Sequence, residues 1–253
     1  MTPAVSEARR GRGVTRLGRL ADTAPGNAAR NRLAASGLLW PLLAVRKPRL
    51  LRERVITPGS DVCIEGFPRS ANSYTVLIFR HWNPEARVAH HMHVPLQVRL
   101  AVKLAIPCCV LVRPPLEAVS SVLVMQRGRV SDDACYNGYI RYHRGIATVR
   151  DRIVVCRFEE LLDDPTVVVE RLNARFETSF ASWPVTPELE QRLLGTLERR
   201  SRRRNWMLSR EFATAPSPHK EDKKSELRAR VARHPLLAEA EASYAAIAAG
   251  SSR

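Results

Sequence analysis

An α/β layered domain on a central, mainly parallel sheet is the fold the sequence predicts, and three observations predict it. Apolar runs of strand length alternate along the chain with segments whose apolar residues recur at helical spacing. The run Cys108-Cys-Val-Leu-Val112 is almost wholly apolar, as a strand covered on both faces must be. The first strand leads through a polar turn straight into a helix, which is the beginning of a crossover unit. Helices on both faces of such a sheet make three layers.

Taken in order, Asp61-Val-Cys-Ile-Glu-Gly66 is a short apolar run ending in glycine, followed by the turn Phe67-Pro-Arg-Ser-Ala-Asn72. Ser73 to Trp82 reads as a helix because Tyr74, Leu77, Ile78 and Trp82 share one face. Pro95 to Leu104 reads as the next helix, Cys108 to Val112 as the second strand, and Pro115 to Met125 as a further helix. Tyr136 to Arg150 keeps Tyr139, Ile140, His143 and Ile146 in helical register. Ile153 to Arg157 is the third strand. The acidic turn Glu159 to Asp164 follows, then a helix over Pro165 to Phe176 carrying Val168, Leu172 and Phe176. Glu188 to Arg200 and Glu221 to Ala248 read as helices separated by the loop Ala215-Pro-Ser-Pro-His219. No internal repeat is visible.

The length of 253 residues suits one substantial domain or two small ones. Hydrophobic content of 45% with 26% charged residues is that of a globular protein. The anomaly is a formal net charge of +16, which suggests a polyanionic ligand, an acidic membrane surface or a phosphorylated cofactor. Its distribution narrows the choice. Residues 1–54 hold 12 Lys+Arg against 3 acids and residues 199–224 hold 9 against 3, whereas residues 55–198 hold 16 of each. The basicity belongs to an N-terminal arm, 1–54, and one late segment, and the folded domain, 55–253, has a neutral body. Residues 1 to about 35, rich in Arg, Ala, Gly and Thr, read as partly disordered.

The five cysteines, Cys63, Cys108, Cys109, Cys135 and Cys156, are odd in number, lack CxxC spacing and fall mostly in apolar runs, which favours buried free thiols of a reducing compartment. No secretory h-region precedes residue 35, and Leu38 to Val45 is interrupted by Pro41 and far shorter than the ~20 residues of a membrane span. A cytoplasmic protein is expected. Trp40 and its leucines beside Arg46, Lys47 and Arg49 make the arm a candidate for peripheral membrane contact, with a lead-in helix packed on the domain as the other reading.

In open α/β sheets ligands bind beyond the carboxyl ends of the strands, which directs attention to Gly66-Phe-Pro-Arg-Ser-Ala-Asn-Ser-Tyr74. A helix N-terminus offers unpaired N–H groups, the small Ser70, Ala71 and Ser73 allow an anion close to the backbone, and Arg69 adds a full charge. The GxxxxGK[ST] pattern is absent. On these grounds alone the turn is either an anion site or an ordinary polar connection.

Ile64-Glu-Gly-Phe-Pro-Arg-Ser-Ala-Asn-Ser-Tyr74 resembles the 5′-phosphosulfate loop of the sulfotransferases that use 3′-phosphoadenosine 5′-phosphosulfate, whose form is a strand followed by G-x-P-[KR]-S-G-[TN]-[ST]. Val110-Leu-Val-Arg-Pro-Pro-Leu-Glu-Ala-Val-Ser-Ser121 is similar to the family's 3′-phosphate motif, an apolar strand ending in Arg with a Ser eight positions on. Val155-Cys-Arg-Phe-Glu-Glu-Leu-Leu-Asp-Asp-Pro165 resembles its strand and acidic turn. The three segments stand in the family's order over roughly residues 61–176. The resemblance implies a P-loop nucleoside-triphosphate-hydrolase-like fold. Where many members have Lys, this chain has Arg69, which keeps charge but cannot donate a proton as Lys can. Ala71 stands for Gly, which calls for φ < 0 there, and Pro114 stands where Asn often follows the Arg. The late RKGxxGxW segment is missing, and Ser217-Pro-His-Lys220 with Lys223 and Lys224 lies near its place.

What the resemblance implies about the site is a donor cradle made of Pro68, Arg69, Ser70, Ala71, Asn72, Ser73 and Tyr74. Arg69 also stabilises the leaving oxygen, Arg113 and Ser121 hold the 3′-phosphate, and Lys220 adds a phosphate contact. His93-Val-Pro95 resembles the family's His-x-Pro placement of the base. His91 is the reserve, pointing the same way if the segment is extended. A neutral imidazole suits proton abstraction at pH 7. The triplet His90, His91 and His93 has no nearby acidic or Cys ligand in sequence and no HExxH helix, so no metal is expected. Tyr139, Tyr142 and Trp206 read as core aromatics or as lining for adenine or acceptor. Arg199 to Arg204 reads as a nucleic-acid patch, an acidic-glycan groove or a solvated stretch, and no nucleic-acid motif surrounds it.

The expected activity is sulfuryl transfer to a hydroxyl acceptor: a carbohydrate, glycolipid or small metabolite. The alternatives are a P-loop nucleotide kinase, disfavoured by the missing Walker Lys, and a non-catalytic polyanion-binding protein working through its basic arms.

Overall fold

A computed structural model describes residues 54–126, 128–204, 225 and 227–249. Residues 1–53, Trp206, the Ser217 to Lys220 stretch, Lys223 and Lys224 lie outside the described residues.

Four strands form one parallel sheet: β1 (Val62–Gly66), β2 (Val88–His90), β3 (Cys108–Val112) and β4 (Val154–Arg157), in the order β2-β1-β3-β4. Ile64 pairs with His90 on one side and Cys109 on the other, and Val110 pairs with Val155. The period-2 alternation of strand side chains sorts these residues between two cores. Cys63, Val110, Val112 and Val155 enter one. Ile64, Leu111, Val154 and Cys156 enter the other. Both faces are therefore covered, which is why β1 and β3 are buried along their whole length.

The second core is closed by α1 (Asn72–Trp82), through Val76, Phe79 and Trp82, and by α6 (Val167–Phe176), through Val168 and Leu172. Leu189 and Leu193 of α7 (Pro187–Arg204) join it. On the opposite face lie α2 (Pro95–Lys103), α3 (Pro115–Gln126), α4 (Asp132–Ala147) and α8 (Leu237–Ala248). Val98, Val119, Tyr139 and Ile247 fill that core. Each fully buried aliphatic such as Leu111 or Ile64 contributes about 1.5–3 kcal/mol.

Several boundaries differ from the sequence reading, each for a local reason. β2 was not foreseen, because three residues on a sheet edge are too few to show a pattern. Four residues earlier than its apolar register suggests, α4 begins at Asp132: the Ser131 hydroxyl accepts from the Ala134 N–H (3.2 Å), and Asp132 and Asp133 suit the positive helix end. The acidic turn is a short helix, α5 (Phe158–Asp163), capped by Glu160, whose Oε2 accepts from the Arg157 N–H at 2.7 Å. The following helix starts at Val167 and not at Pro165. The expected helix to Ala248 is interrupted: residues 227–231 are helical, and a turn containing Pro235 precedes α8 because proline cannot extend a helix. That turn is packed, with His234 stacked on Tyr136 (4.7 Å) and the Tyr136 hydroxyl donating to Val231 O (3.0 Å).

All five cysteines are free and buried. Among the described residues no helix is long and apolar enough to cross a membrane. The strand order reverses between β1 and β3, since the chain passes from β1 to one neighbour and then crosses to the other. Parallel sheets open a crevice at that point, beyond the carboxyl ends of these two strands.

Candidate functional site

The turn after β1 is held by its own backbone. Ser70 N–H donates to Phe67 O (3.3 Å), and Asn72 Nδ2 donates to the same carbonyl (2.9 Å). Arg69 has φ 73° and Ala71 φ 64°, both left-handed. The expectation of φ < 0 at Ala71 is thus corrected. A non-glycine residue there is strained by about 1–3 kcal/mol, and the Thr75 N–H and hydroxyl, both donating to Ala71 O (3.0 and 3.2 Å), hold it. Left-handed residues alternating with others, as on either side of Ser70, are the backbone pattern of an anion-binding concavity. The first turn of α1 carries no acid and no side-chain cap. Ser70 is fully buried, and its hydroxyl has no hydrogen-bond partner among the described residues.

Three residues expected to bind the donor meet beside this turn. Arg69 Nε donates to Ser121 Oγ at 3.0 Å, and Arg113 Nη1 donates to Arg69 O at 2.9 Å. Arg113 leaves the end of β3 and Ser121 lies on α3, so the two motifs converge where the strand order reverses. Burial, and then the charge of Arg113, lower the Arg69 pKa, yet a guanidinium stays protonated. Arg113 is held from three sides. Its guanidinium stacks on Phe158 (3.8 Å to the ring centroid), its Nη2 lies 3.9 Å from Glu117 Oε2, and its carbonyl accepts from the Tyr139 hydroxyl at 2.6 Å. Phe158 belongs to the third of the segments singled out by resemblance, which thereby reaches the site. Glu117 also takes Arg228 Nη2 at 2.9 Å.

The histidine segment is not extended. His91 (φ 58°) and His93 (φ 54°) are both left-handed, which corrects the expectation that period-2 alternation would point them alike. His93 Nδ1 lies 2.7 Å from Gly66 O. A carbonyl only accepts, so Nδ1 carries a proton, and in the neutral ring Nε2 is then the acceptor. The ring is 28% exposed. His91 is engaged on both nitrogens, Nε2 with Ser73 Oγ (2.9 Å) and Nδ1 with His90 Nδ1 (2.5 Å). Its rings and those of His93 stand 5.6 Å apart at 72°.

Behind this segment lies a group the motif reading passed over. Glu65 on β1 is wholly buried. Its Oε1 accepts from Met92 N–H (2.7 Å) and Gln97 Nε2 (3.0 Å), and its Oε2 from His93 N–H (3.1 Å) and Gly66 N–H (3.4 Å). Burial raises its pKa, against which His93, when protonated, and the backbone N–H donors act. The available signal was a lone Glu inside an otherwise apolar strand.

Of the remaining expected site residues, Pro68 is half-buried in the turn, and Asn72 turns its amide inward onto Phe67 O. Tyr74 packs at the edge of the α1 core, where burial and then Glu190 raise its pKa. Tyr139 and Tyr142 are buried beside Phe67 (ring centroids 4.9 and 6.2 Å), so both are core residues, and the Tyr139 hydroxyl also donates to Arg113 O. Lys220 and Trp206 lie outside the described residues. Arg199 to Arg204 continue α7 to its end. Among the described residues no group of His, Cys, Asp and Glu is arranged to hold a metal ion. No family model matches the chain, and no curated protein does.

Proposed function

We propose that the protein is a sulfotransferase of P-loop-like fold, moving a sulfuryl group from 3′-phosphoadenosine 5′-phosphosulfate to a hydroxyl of a carbohydrate, glycolipid or small metabolite. The observation that carries the reading is the meeting of Arg69, Arg113 and Ser121. They come from two separate segments, each of which resembles a donor-binding motif, and they lie at the crevice between β1 and β3.

In this reading the left-handed turn, the uncapped start of α1 and the unpartnered Ser70 hydroxyl receive the 5′-phosphosulfate. Arg113 and Ser121 take the 3′-phosphate, and Arg69 stands between the two sites. His93 Nε2 accepts the proton of the acceptor hydroxyl while its oxygen bonds to sulfur. The bridging S–O bond breaks, and 3′-phosphoadenosine 5′-phosphate leaves with its charge against the arginines. Transfer of this kind runs in line through a loose transition state, so positioning and charge stabilisation supply most of the rate. No metal has a role in this proposal, and the neutral body leaves the basic arm for gathering anionic donor, acceptor or membrane, in a cytoplasmic setting.

The test is a melting-temperature comparison with 3′-phosphoadenosine 5′-phosphate, ATP and heparin side by side, followed by transfer of radiolabelled sulfate to a pool of hydroxylated acceptors. Stabilisation by the 3′-phosphorylated nucleotide above ATP supports the reading. Stabilisation by heparin alone, lost on deleting residues 1–54, replaces it with polyanion binding.

A further inference from the structure

We infer that Glu65 is a positioning residue for His93, acting as the anion around which the histidine loop is wound. The inference rests on the sulfuryl-transfer reading only for the role of His93 as base; the positioning itself stands on geometry.

The N–H groups of Met92 and His93 are consecutive, and each donates to a different oxygen of one carboxylate (2.7 and 3.1 Å). They are flanked by left-handed residues at His91 and His93. Alternation of that kind makes a backbone nest, a concavity that binds an anion. Here the anion is a side chain of the protein. It adds a backbone restraint that holds two strained non-glycine residues in their conformation.

The carboxylate is fixed from behind as well. Gln97, fully buried, accepts from Ile56 N–H (3.1 Å) and donates to Arg54 O (2.9 Å), and these two bonds determine which end of its amide faces Glu65. All four groups around the carboxylate are N–H donors. A protonated Glu65 would present its O–H to donors, so the ionised form is the one this pocket accommodates. A core role alone would be filled at less desolvation cost by an aliphatic residue like the neighbouring Ile64.

The consequence falls on His93. Its backbone is pinned by Glu65, and the ring then reaches Gly66 O through Nδ1 at 2.7 Å, which leaves Nε2 as acceptor. Once Nε2 takes a proton the ring is cationic, with Glu65 Oε2 3.9 Å from Nδ1. Glu65 thus orients the imidazole through its backbone and faces the cation it becomes, whereas the acid of a Ser-His-Asp triad bonds Nδ1–H directly.

The experiment compares full-length wild type with Glu65→Gln. Long-range 1H–15N spectra of the labelled imidazoles report the tautomer of His93, with His93→Ala assigning its signals. The wild type is expected to show the Nδ1–H form, and Glu65→Gln a mixture dominated by the Nε2–H form usual for a free imidazole. In the sulfate-transfer assay kcat is expected to fall about 100-fold or more with donor KM within about 3-fold, within the range seen when an orienting acid is removed. If the tautomer changes while neither protein transfers sulfate, the positioning role stands and the transfer reading falls. If Glu65→Gln keeps both the Nδ1–H form and its kcat, the positioning role is overturned. Should the variant not fold, amide exchange in the wild type decides: slow exchange at Met92 and His93 supports the nest, and unprotected exchange at both overturns it.

Discussion

Arg69 Nε donates to Ser121 Oγ at 3.0 Å, which ties the turn after the first strand to a helix that begins only after the third. The bond gives Ser121 a partner whose charge would also face any phosphate bound at Arg113. Ser121→Ala is expected to weaken 3′-phosphoadenosine 5′-phosphate about 10-fold and Arg113→Lys about 10- to 100-fold, the range of one or two charge-assisted hydrogen bonds. Arg113→Lys also loses the stacking on Phe158. Binding of adenosine 5′-phosphate, which lacks the 3′ group, should change little in Ser121→Ala. Titration calorimetry with the two nucleotides measures the difference; equal losses for both would place the 3′-phosphate elsewhere.

His93 and His91 stand close together but are bonded differently, and that separates their expected effects. His93 has one nitrogen fixed by Gly66 O, whereas His91 has both nitrogens engaged, one of them by Ser73 at the start of α1. His93→Ala is expected to cut kcat by about 100- to 10,000-fold, the usual worth of a general base, with little change in donor affinity. His91→Ala should act mainly on donor KM, through Ser73. Steady-state sulfate transfer under saturating acceptor tests both, and full turnover by His93→Ala would remove it as the base.

Most of this architecture was legible in the sequence because its strands are buried on both faces and its helices on one. The all-apolar Cys108 to Val112 run and the register of Tyr139, Ile140 and Ile146 carry that information locally. The meeting of Arg69 with Ser121 was legible only through motif resemblance, since it depends on which strands are neighbours. The histidine loop was not legible. Its left-handed residues are held by Glu65, a contact across 27 and 28 residues that neither periodicity nor propensity encodes. Likewise Ala71 could take its positive φ because hydrogen bonds from Thr75 and the turn backbone stabilise a conformation that the residue alone disfavours.

Gly66 is required by close approach of two strands. A Cβ at this position would lie 2.5 Å from Leu111 O and 2.9 Å from Asn72 Oδ1, and the first of these is backbone in the centre of the sheet. Gly66→Ala must therefore push β1 from β3 or distort the turn that carries Arg69. A cost of about 1–3 kcal/mol is expected, as for overpacking elsewhere. Urea denaturation gives this number, and a loss of nucleotide binding in the folded fraction would show that the strain reaches the turn.

His143 should leave a signature in the acid limb of stability. It is fully buried on α4, its Nδ1–H donates to Tyr139 O (2.9 Å), and its Nε2 has no hydrogen-bond partner among the described residues. Burial lowers its pKa from 6.5 to about 4, while the bond to Tyr139 O acts the other way. Between these values the unfolded chain binds a proton that the folded chain does not, so stability falls as pH drops from about 6.5 to about 4 and levels off below. The full effect is on the order of 3 kcal/mol from this one residue. His143→Phe keeps a ring against Tyr139, whose ring lies 4.0 Å away, and removes both the proton site and the unpartnered nitrogen. Its stability relative to wild type should therefore improve steadily from pH 7 to pH 4. Denaturant titrations at half-unit steps read this directly, and parallel curves for the two proteins would mean that His143 is protonated alike in the folded and unfolded chain.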